Sequence, residues 1–211
     1  MDGCTMGTDS YFASTLVGKL LRKIIKNAGY KELYNKQPLF NNIENYLRYI
    51  LQQLFAELAL AKNQLMLERN ELLTTLILLV IDKTAKNGIV VVIGDGIVSV
   101  NRLVTEFDQG NKPDYLGYHL SENFEEWYNG LKQKLFIKNV IDVSIATDGI
   151  TTFTRFLVTS EEDTINPIEF LLNDNILVEE DEDALERKLK RLEHVCGLRP
   201  TDDLALVRVR L

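Results

Sequence analysis

Apolar positions in this chain change period along its length, and the changes divide it into segments. From Ser10 to Ile25 the apolar residues Phe12, Leu16, Leu20 and Ile24 recur every fourth position, with Lys19, Arg22 and Lys23 elsewhere. That spacing predicts an amphipathic helix, with Asp9 or Ser10 as its N-cap. Residues 27–38 read as a connection. Asn41 or Asn42 would cap a second, longer helix reaching about Leu67, whose stripe of Ile43, Leu47, Ile50, Leu54 and Leu58 is a core face.

The period then shortens. Leu72 to Ile81 is a continuous apolar run, and Ile89 to Ile93 follows after Asn87-Gly88, so the two predict adjacent antiparallel strands. Gly94-Asp95-Gly96 marks a turn, and Ile97 to Val104 predicts a third strand that continues a meander. Asp108 to Asp114 reads as a polar loop, and Tyr115 to Asn139 fits no single period. Val140 to Ala146 predicts a strand, Pro167 to Leu172 a short helix, and Asp181 to Val195 a charged helix with Leu185, Leu189 and Leu192 on one side. Leu204 to Leu211 closes the chain with strand-like alternation, Leu206, Arg208 and Arg210 against Ala205, Val207 and Val209. Helices, then strands, then helices and strands predict antiparallel sheets covered by helices. A doubly wound parallel sheet would need helices alternating with single strands.

Composition narrows the partners more than the fold. The 211 residues fit one domain over 1–211, and 45% hydrophobic with 26% charged residues is ordinary for a globular chain. A formal net charge of −7 argues against a broad nucleic-acid or anionic-membrane surface. It leaves a phosphorylated substrate open, because a bound cation supplies positive charge locally. Cys4 and Cys196 read as free thiols of a reducing compartment, and His119 and His194 as surface or packing residues. No signal peptide is visible and no apolar run is long enough to span a bilayer, so the chain reads as cytoplasmic. The acidic run Glu179 to Asp183 reads as a solvated helix start. Tyr115, Tyr118, Trp127 and Tyr128 read as core, with an exposed contact surface as the other reading.

Candidate chemistry lies at the ends of the strands. Val140 to Ala146 runs into Thr147-Asp148-Gly149, which would hold a carboxylate rigidly at the edge of a core while the glycine lets the chain turn. Asp2-Gly3 opens the chain, Asp95 sits in its own turn, and Asp202-Asp203 precedes the last strand. Carboxylates on fixed strand ends are the ligands that a hard divalent cation takes. Spacing alone does not show that they converge.

The order Asp2-Gly3-Cys4, Glu71-Leu72-Leu73-Thr74-Thr75, Gly94-Asp95-Gly96, Ala146-Thr147-Asp148-Gly149 and Asp202-Asp203-Leu204-Ala205 resembles the metal-dependent protein phosphatases of type 2C. The resemblance spans residues 2 to 211. It implies an α+β fold, a β-sandwich of two antiparallel sheets flanked by helices. It also implies hydrolysis of phosphomonoesters on phosphoprotein Ser/Thr residues by water activated by Mn²⁺ or Mg²⁺, without a phospho-enzyme. Carried over, Asp2 corresponds to the aspartate bridging two metals and the Gly3 carbonyl to a ligand of one of them. Asp148 corresponds to a ligand of the other metal, Asp202 to the first residue of the terminal Asp-Asn pair, another ligand, and Asp95 to a structural turn. Nucleic acid and membranes are not among the implied partners.

The chain also departs from that pattern. Family members carry one or two strands before the Asp-Gly pair, with an acidic residue for the second metal and an arginine for phosphate. Here only Met1 precedes Asp2. The expectation is a fold truncated at its N-terminus, with self-association over the exposed sheet edge. A non-catalytic phosphatase-like module is then the alternative to an enzyme. Arg102 and Arg155 are the available substitutes for the arginine, although surface roles are expected for both. Cys4 stands where many relatives have histidine, and Asp203 where they have asparagine. The long helical insert, about Asn41 to Leu67, and Leu116 to Phe136 are the segments expected to select substrates or partners.

Overall fold

The computed structural model describes residues 1–3, 9–36, 38–110, 113–157, 165–174 and 183–211. Along the chain, α1 (Ser10–Asn35) and α2 (Ile43–Gln64) come first, then β1 (Leu76–Asp82), β2 (Asn87–Ile93), β3 (Gly96–Val100) and β4 (Leu103–Phe107). The order continues with α3 (Phe124–Gly130), β5 (Lys134–Ile137), β6 (Asp142–Ala146) and β7 (Phe153–Arg155). It closes with α4 (Pro167–Leu172), α5 (Ala184–His194), β8 (Leu198–Pro200) and β9 (Leu206–Arg210). The chain divides into two compact units, Met1–Asp95 with Phe107–Asn139, and Gly96–Glu106 with Val140–Leu211.

In the first unit, Asp9 caps α1 as its sequence predicts, accepting from the backbone N–H of Tyr11 and Phe12 at 3.1 and 3.2 Å. The helix does not stop near Ile25. It continues to Asn35, because Ala28 extends the buried line of Ala13, Val17, Leu21 and Ile24 by another turn. That line is displaced by one residue from the expected stripe, so Phe12, Leu16 and Leu20 only flank it. Lys36, at φ 54°, terminates the helix in the left-handed region. The α2 helix follows its pattern closely. The Asn42 side chain accepts from Asn45 N–H at 2.8 Å, and Leu47, Ile50, Leu54 and Leu58 are buried. Leu51 and Phe55 widen the face, and each fully buried leucine contributes about 1.5–3 kcal/mol.

The sheet of this unit has the order β1-β2-β5, all antiparallel. Its register runs from Leu76 opposite Ile93 to Asp82 opposite Asn87, and from Gly88 opposite Ile137 to Val91 opposite Lys134. Central β2 is apolar without alternation, and Ile89 to Ile93 are all buried, as a strand covered on both faces requires. The expected three-strand meander is corrected here. The second edge of β2 is taken by β5, and the strand after Gly94-Asp95 belongs to another sheet. Tyr115, Trp127 and Tyr128 are buried and belong to the core, while Tyr118 is half-buried against Tyr115 and Leu73.

The second unit holds a sheet in the order β4-β3-β6-β9. The run Ile97 to Val104 is two strands, not one. Asn101 and Arg102, at φ 49° and 73°, turn the chain back, and the Asn101 side chain takes the N–H groups of Ile141 and Asp142 at 2.9 and 3.2 Å. Ile97, Ala146, Ile150, Phe170, Leu171, Leu172, Leu192 and Leu198 make up most of the core. The short β7 and β8 pair with Phe153 opposite Pro200. In β9 the alternation does not follow hydrophobicity: Val207 is exposed, while Arg208 turns inward to a bidentate pair with Asp142. Among the described residues no helix is long and apolar enough to cross a membrane.

Candidate functional site

The carboxylates of Asp148 and Asp202 are brought together by two threonines. Thr147, buried at the end of β6, accepts from Ala205 N–H at 2.9 Å through its hydroxyl and donates to the Asp203 carbonyl at 3.1 Å. Its own N–H reaches the Ala205 carbonyl at 3.0 Å. The Thr152 hydroxyl accepts from the N–H groups of Thr201 and Asp202 at 3.1 and 3.2 Å, and donates to the Gly149 carbonyl at 2.8 Å. The Thr147–Thr152 segment and the Thr201–Ala205 segment are thereby stitched side by side. An oxygen of Asp148 and an oxygen of Asp202 lie within 4.8 Å of each other.

Gly149 makes this approach possible. A Cβ there would stand 2.3 Å from the Asp203 carbonyl oxygen. The sequence suggests a sharp turn at this glycine, but its φ is not positive, and the close backbone contact is what excludes a side chain.

Ligands of an octahedral Mg²⁺ at about 2.1 Å are spaced about 3 to 4 Å apart, so the Asp148–Asp202 pair is within reach of a shared cation. The donor chemistry also fits. Asp148 is half-buried, Asp202 is exposed, and one Asp202 oxygen accepts from Asp203 N–H at 2.9 Å. Among the described residues the Asp148 carboxylate accepts no hydrogen bond and pairs with no cation.

Asp2 and Gly3 are fixed within the first unit by the Thr74-Thr75 pair that the sequence singles out. Gly3 forms an isolated antiparallel bridge with Thr74. The Asp2 carbonyl accepts from the Thr74 hydroxyl at 2.7 Å and from Thr75 N–H at 2.9 Å, and Asp2 N–H donates to the Thr75 hydroxyl at 3.1 Å. Thr74 is wholly buried, so this clamp is anchored in the core. Behind it, the Leu116 N–H donates to the Thr74 carbonyl at 3.2 Å.

The remaining candidates have structural roles. One Asp95 oxygen accepts from Gln109 N–H at 2.8 Å, in keeping with a turn residue. Arg155 donates to the Cys196 carbonyl at 3.3 Å, and among the described residues neither it nor Arg102 pairs with Asp148 or Asp202. Cys196 is a buried free thiol, and Cys4 lies outside the described residues, as do residues 179–182 of the acidic run.

His119 is more engaged than its isolation in sequence suggests. Its ring nitrogens meet Asp114 at 2.7 Å and Glu122 at 2.9 Å. The Asp114 hydrogen bond, reinforced by Glu122, raises its pKa against the opposing effect of burial. It lines a cavity of about 720 Å³ with Asp114, Glu122, Glu126, Trp127 and Lys132. Only the helical-turn spacing of His119 and Glu122 offered a signal for this arrangement.

The fold and sequence agree with known proteins. The chain has the fold of PppA from Pseudomonas aeruginosa, described as a key regulatory component of T6SS, at 15% identity and TM-score 0.53, over all of this chain and 84% of that one. Its fold is also similar to that of the serine/threonine phosphatase PstP/Ppp of Mycobacterium tuberculosis, at 14% identity and TM-score 0.52, over 98% of this chain and 85% of that one. No curated protein matches the chain in sequence. The sequence model of the protein phosphatase 2C family matches residues 1–192, a stretch that takes in Asp2, the Thr74-Thr75 clamp and Asp148. With antiparallel sheets flanked by helices and a carboxylate at the end of β6, the chain belongs to the protein phosphatase 2C family.

Proposed function

We propose that this chain is a metal-dependent phosphatase acting on phosphorylated serine or threonine in proteins. The Asp2 and Asp148 carboxylates, the Gly3 carbonyl and Asp202 would hold Mn²⁺ or Mg²⁺. The observation that carries the reading is the Asp148–Asp202 pair, with oxygens within 4.8 Å on backbones locked by Thr147 and Thr152. Family membership supports the chemistry and the substrate class.

Two carboxylates this close repel each other and also repel a phosphate dianion. The pair is therefore suited to an anionic substrate only when a cation lies between them and the phosphate. A bound divalent cation supplies Lewis acidity toward phosphate oxygens and acidifies water at neutral pH. The protein's part is to keep the ligands in place without reorganisation. Thr147 and Thr152 do so for Asp148 and Asp202, and Thr74 and Thr75 do so for the Asp2 backbone.

Calorimetric titration with Mn²⁺ and aryl phosphate hydrolysis with and without chelator test the reading together. Asp148→Asn is expected to weaken Mn²⁺ binding and lower turnover by about a hundredfold or more, with an unchanged circular dichroism spectrum. Unaltered Mn²⁺ affinity in Asp148→Asn would remove the assignment.

A further inference from the structure

The outer face of α1 carries a charge opposite to that of the protein. Between Ser10 and Lys36 lie six lysines and arginines and one acid, Glu32, in a chain of net charge −7. The buried line Ala13, Val17, Leu21, Ile24 and Ala28 fixes which face is outward. At 100° per residue, the row opposite that line is Lys19, Arg22, Lys26, Tyr30 and Leu33, all exposed. Glu32 lies about 120° around the helix from the centre of that row, and its carboxylate accepts from Leu39 N–H at 3.1 Å. Lys23 is engaged by Glu57 at 2.7 Å, and Lys26 lies over the Tyr30 ring at 5.6 Å. Among the described residues Lys19 and Arg22 have no ion-pair partner. The row ends in apolar surface. Leu33 is 76% exposed and Tyr34 is 88% exposed. Leu33 also borders a shallow groove with Gly29, Glu32, Lys36 and Pro38, where Lys36 stands opposite in charge to Glu32.

We infer that this face docks an extended acidic polypeptide segment with an apolar side chain at one end. The dimensions match: Lys19 to Leu33 spans about 21 Å of helix, which about six extended residues cover. Carboxylates on such a segment meet Lys19, Arg22 and Lys26, and the apolar residue meets Leu33 and its groove. A bilayer is the poorer partner. An interfacial helix needs a continuous apolar face to sink into lipid, and here cations occupy the outer row until its last two turns. Because a docked segment is read by binding, the inference holds whether or not the carboxylate site turns over phosphate.

The test is fluorescence anisotropy of the full chain with labelled eight-residue Glu/Asp-rich peptides bearing leucine at either end, at low and high salt. Saturable binding to one peptide is expected, weakening with salt. Lys19→Glu, Arg22→Glu and Lys26→Glu together should raise its Kd about tenfold or more. Leu33→Ser should raise it by less and leave the salt dependence intact. The milder triple Lys19→Gln, Arg22→Gln and Lys26→Gln serves if the reversal lowers the melting temperature. Equal binding by wild type and the folded charge variant overturns the inference. So does the absence of peptide binding by a wild type that is retained on phosphatidylserine vesicles.

Discussion

Gly149 and Asp203 touch through their backbones: a Cβ at Gly149 would stand 2.3 Å from the Asp203 carbonyl oxygen and 2.8 Å from its carbon. Two backbone atoms cannot move aside as a side-chain tip can. Gly149→Ala is expected to destabilise the fold by about 1–3 kcal/mol, as overpacking does. It should also spread the Thr147–Thr152 and Thr201–Ala205 segments, so that Mn²⁺ affinity falls although no carboxylate has been changed. Urea unfolding with calorimetric Mn²⁺ titration checks both effects.

The Asp2 clamp separates position from charge. Thr75→Val keeps the side-chain shape but removes the hydroxyl that accepts from Asp2 N–H at 3.1 Å. Thr75 is buried, so water does not replace the lost partner freely, and the expected cost is about 1–2 kcal/mol. If Asp2 ligates the cation, the same variant weakens Mn²⁺ binding while leaving the Asp148–Asp202 pair untouched. A Thr75→Ser variant restores the hydroxyl and should recover the affinity. Unchanged Mn²⁺ affinity in Thr75→Val would show that the clamp does not serve the metal.

Much of this arrangement was legible in the sequence because it is local. The Asn42 cap, the α2 stripe, the Asp9 cap and the Pro167–Leu172 helix follow from neighbouring residues and appear as expected. The strand end at Ala146 delivers Asp148 as the apolar run before it implies. What the sequence did not show is set by distant pairing. The partner of β2 is β5, some forty residues away, and no pattern within β2 distinguishes that pairing from one with β3. Asn101 looked like part of a strand because its αL turn depends on the backbone of Ile141 and Asp142. The Asp-Gly pair marks Gly149 in the sequence, but only the folded chain shows the Asp203 backbone that it must approach.

His119 makes stability depend on pH in a definite direction. Its pKa is raised, chiefly by the hydrogen bond to Asp114, so the folded state holds the proton more tightly than the unfolded chain does. The stabilisation is fully present below the ordinary histidine pKa of about 6.5 and is lost as pH rises through the higher folded value. Asp114, Glu122, Glu126 and Lys132 share its cavity, so several charges face the ring. Urea unfolding at pH 5.5 and 8.5 should show His119→Gln costing more at the lower pH. An equal cost at both values would mean that the proton contributes nothing.

Lys188 acts in the opposite sense. This residue of α5 is buried, and its Nζ donates to the Phe170 carbonyl at 2.8 Å and to the Asp174 carbonyl, above the Phe170 ring. Burial, with Arg208 nearby, lowers its pKa to about 8. Below that pH the folded and unfolded chains both carry the proton. Between about 8 and the ordinary value near 10.4 only the unfolded chain keeps it, so stability rises with pH across this interval. A neutral amine still has N–H groups for both carbonyls, and losing the charge does not break the contacts. Lys188→Met would leave the Phe170 carbonyl short of a donor at a cost of about 1–3 kcal/mol, offset at neutral pH by removal of a buried charge. Its destabilisation should therefore be larger at pH 9.5 than at pH 7. The Tyr46 and Tyr128 hydroxyls, whose pKa values are raised mainly by burial, act against the trend at higher pH. They are common to both proteins, so the wild-type to variant difference in unfolding free energy isolates Lys188. A difference that stays flat from pH 7 to 9.5 would show that the buried amine does not titrate there.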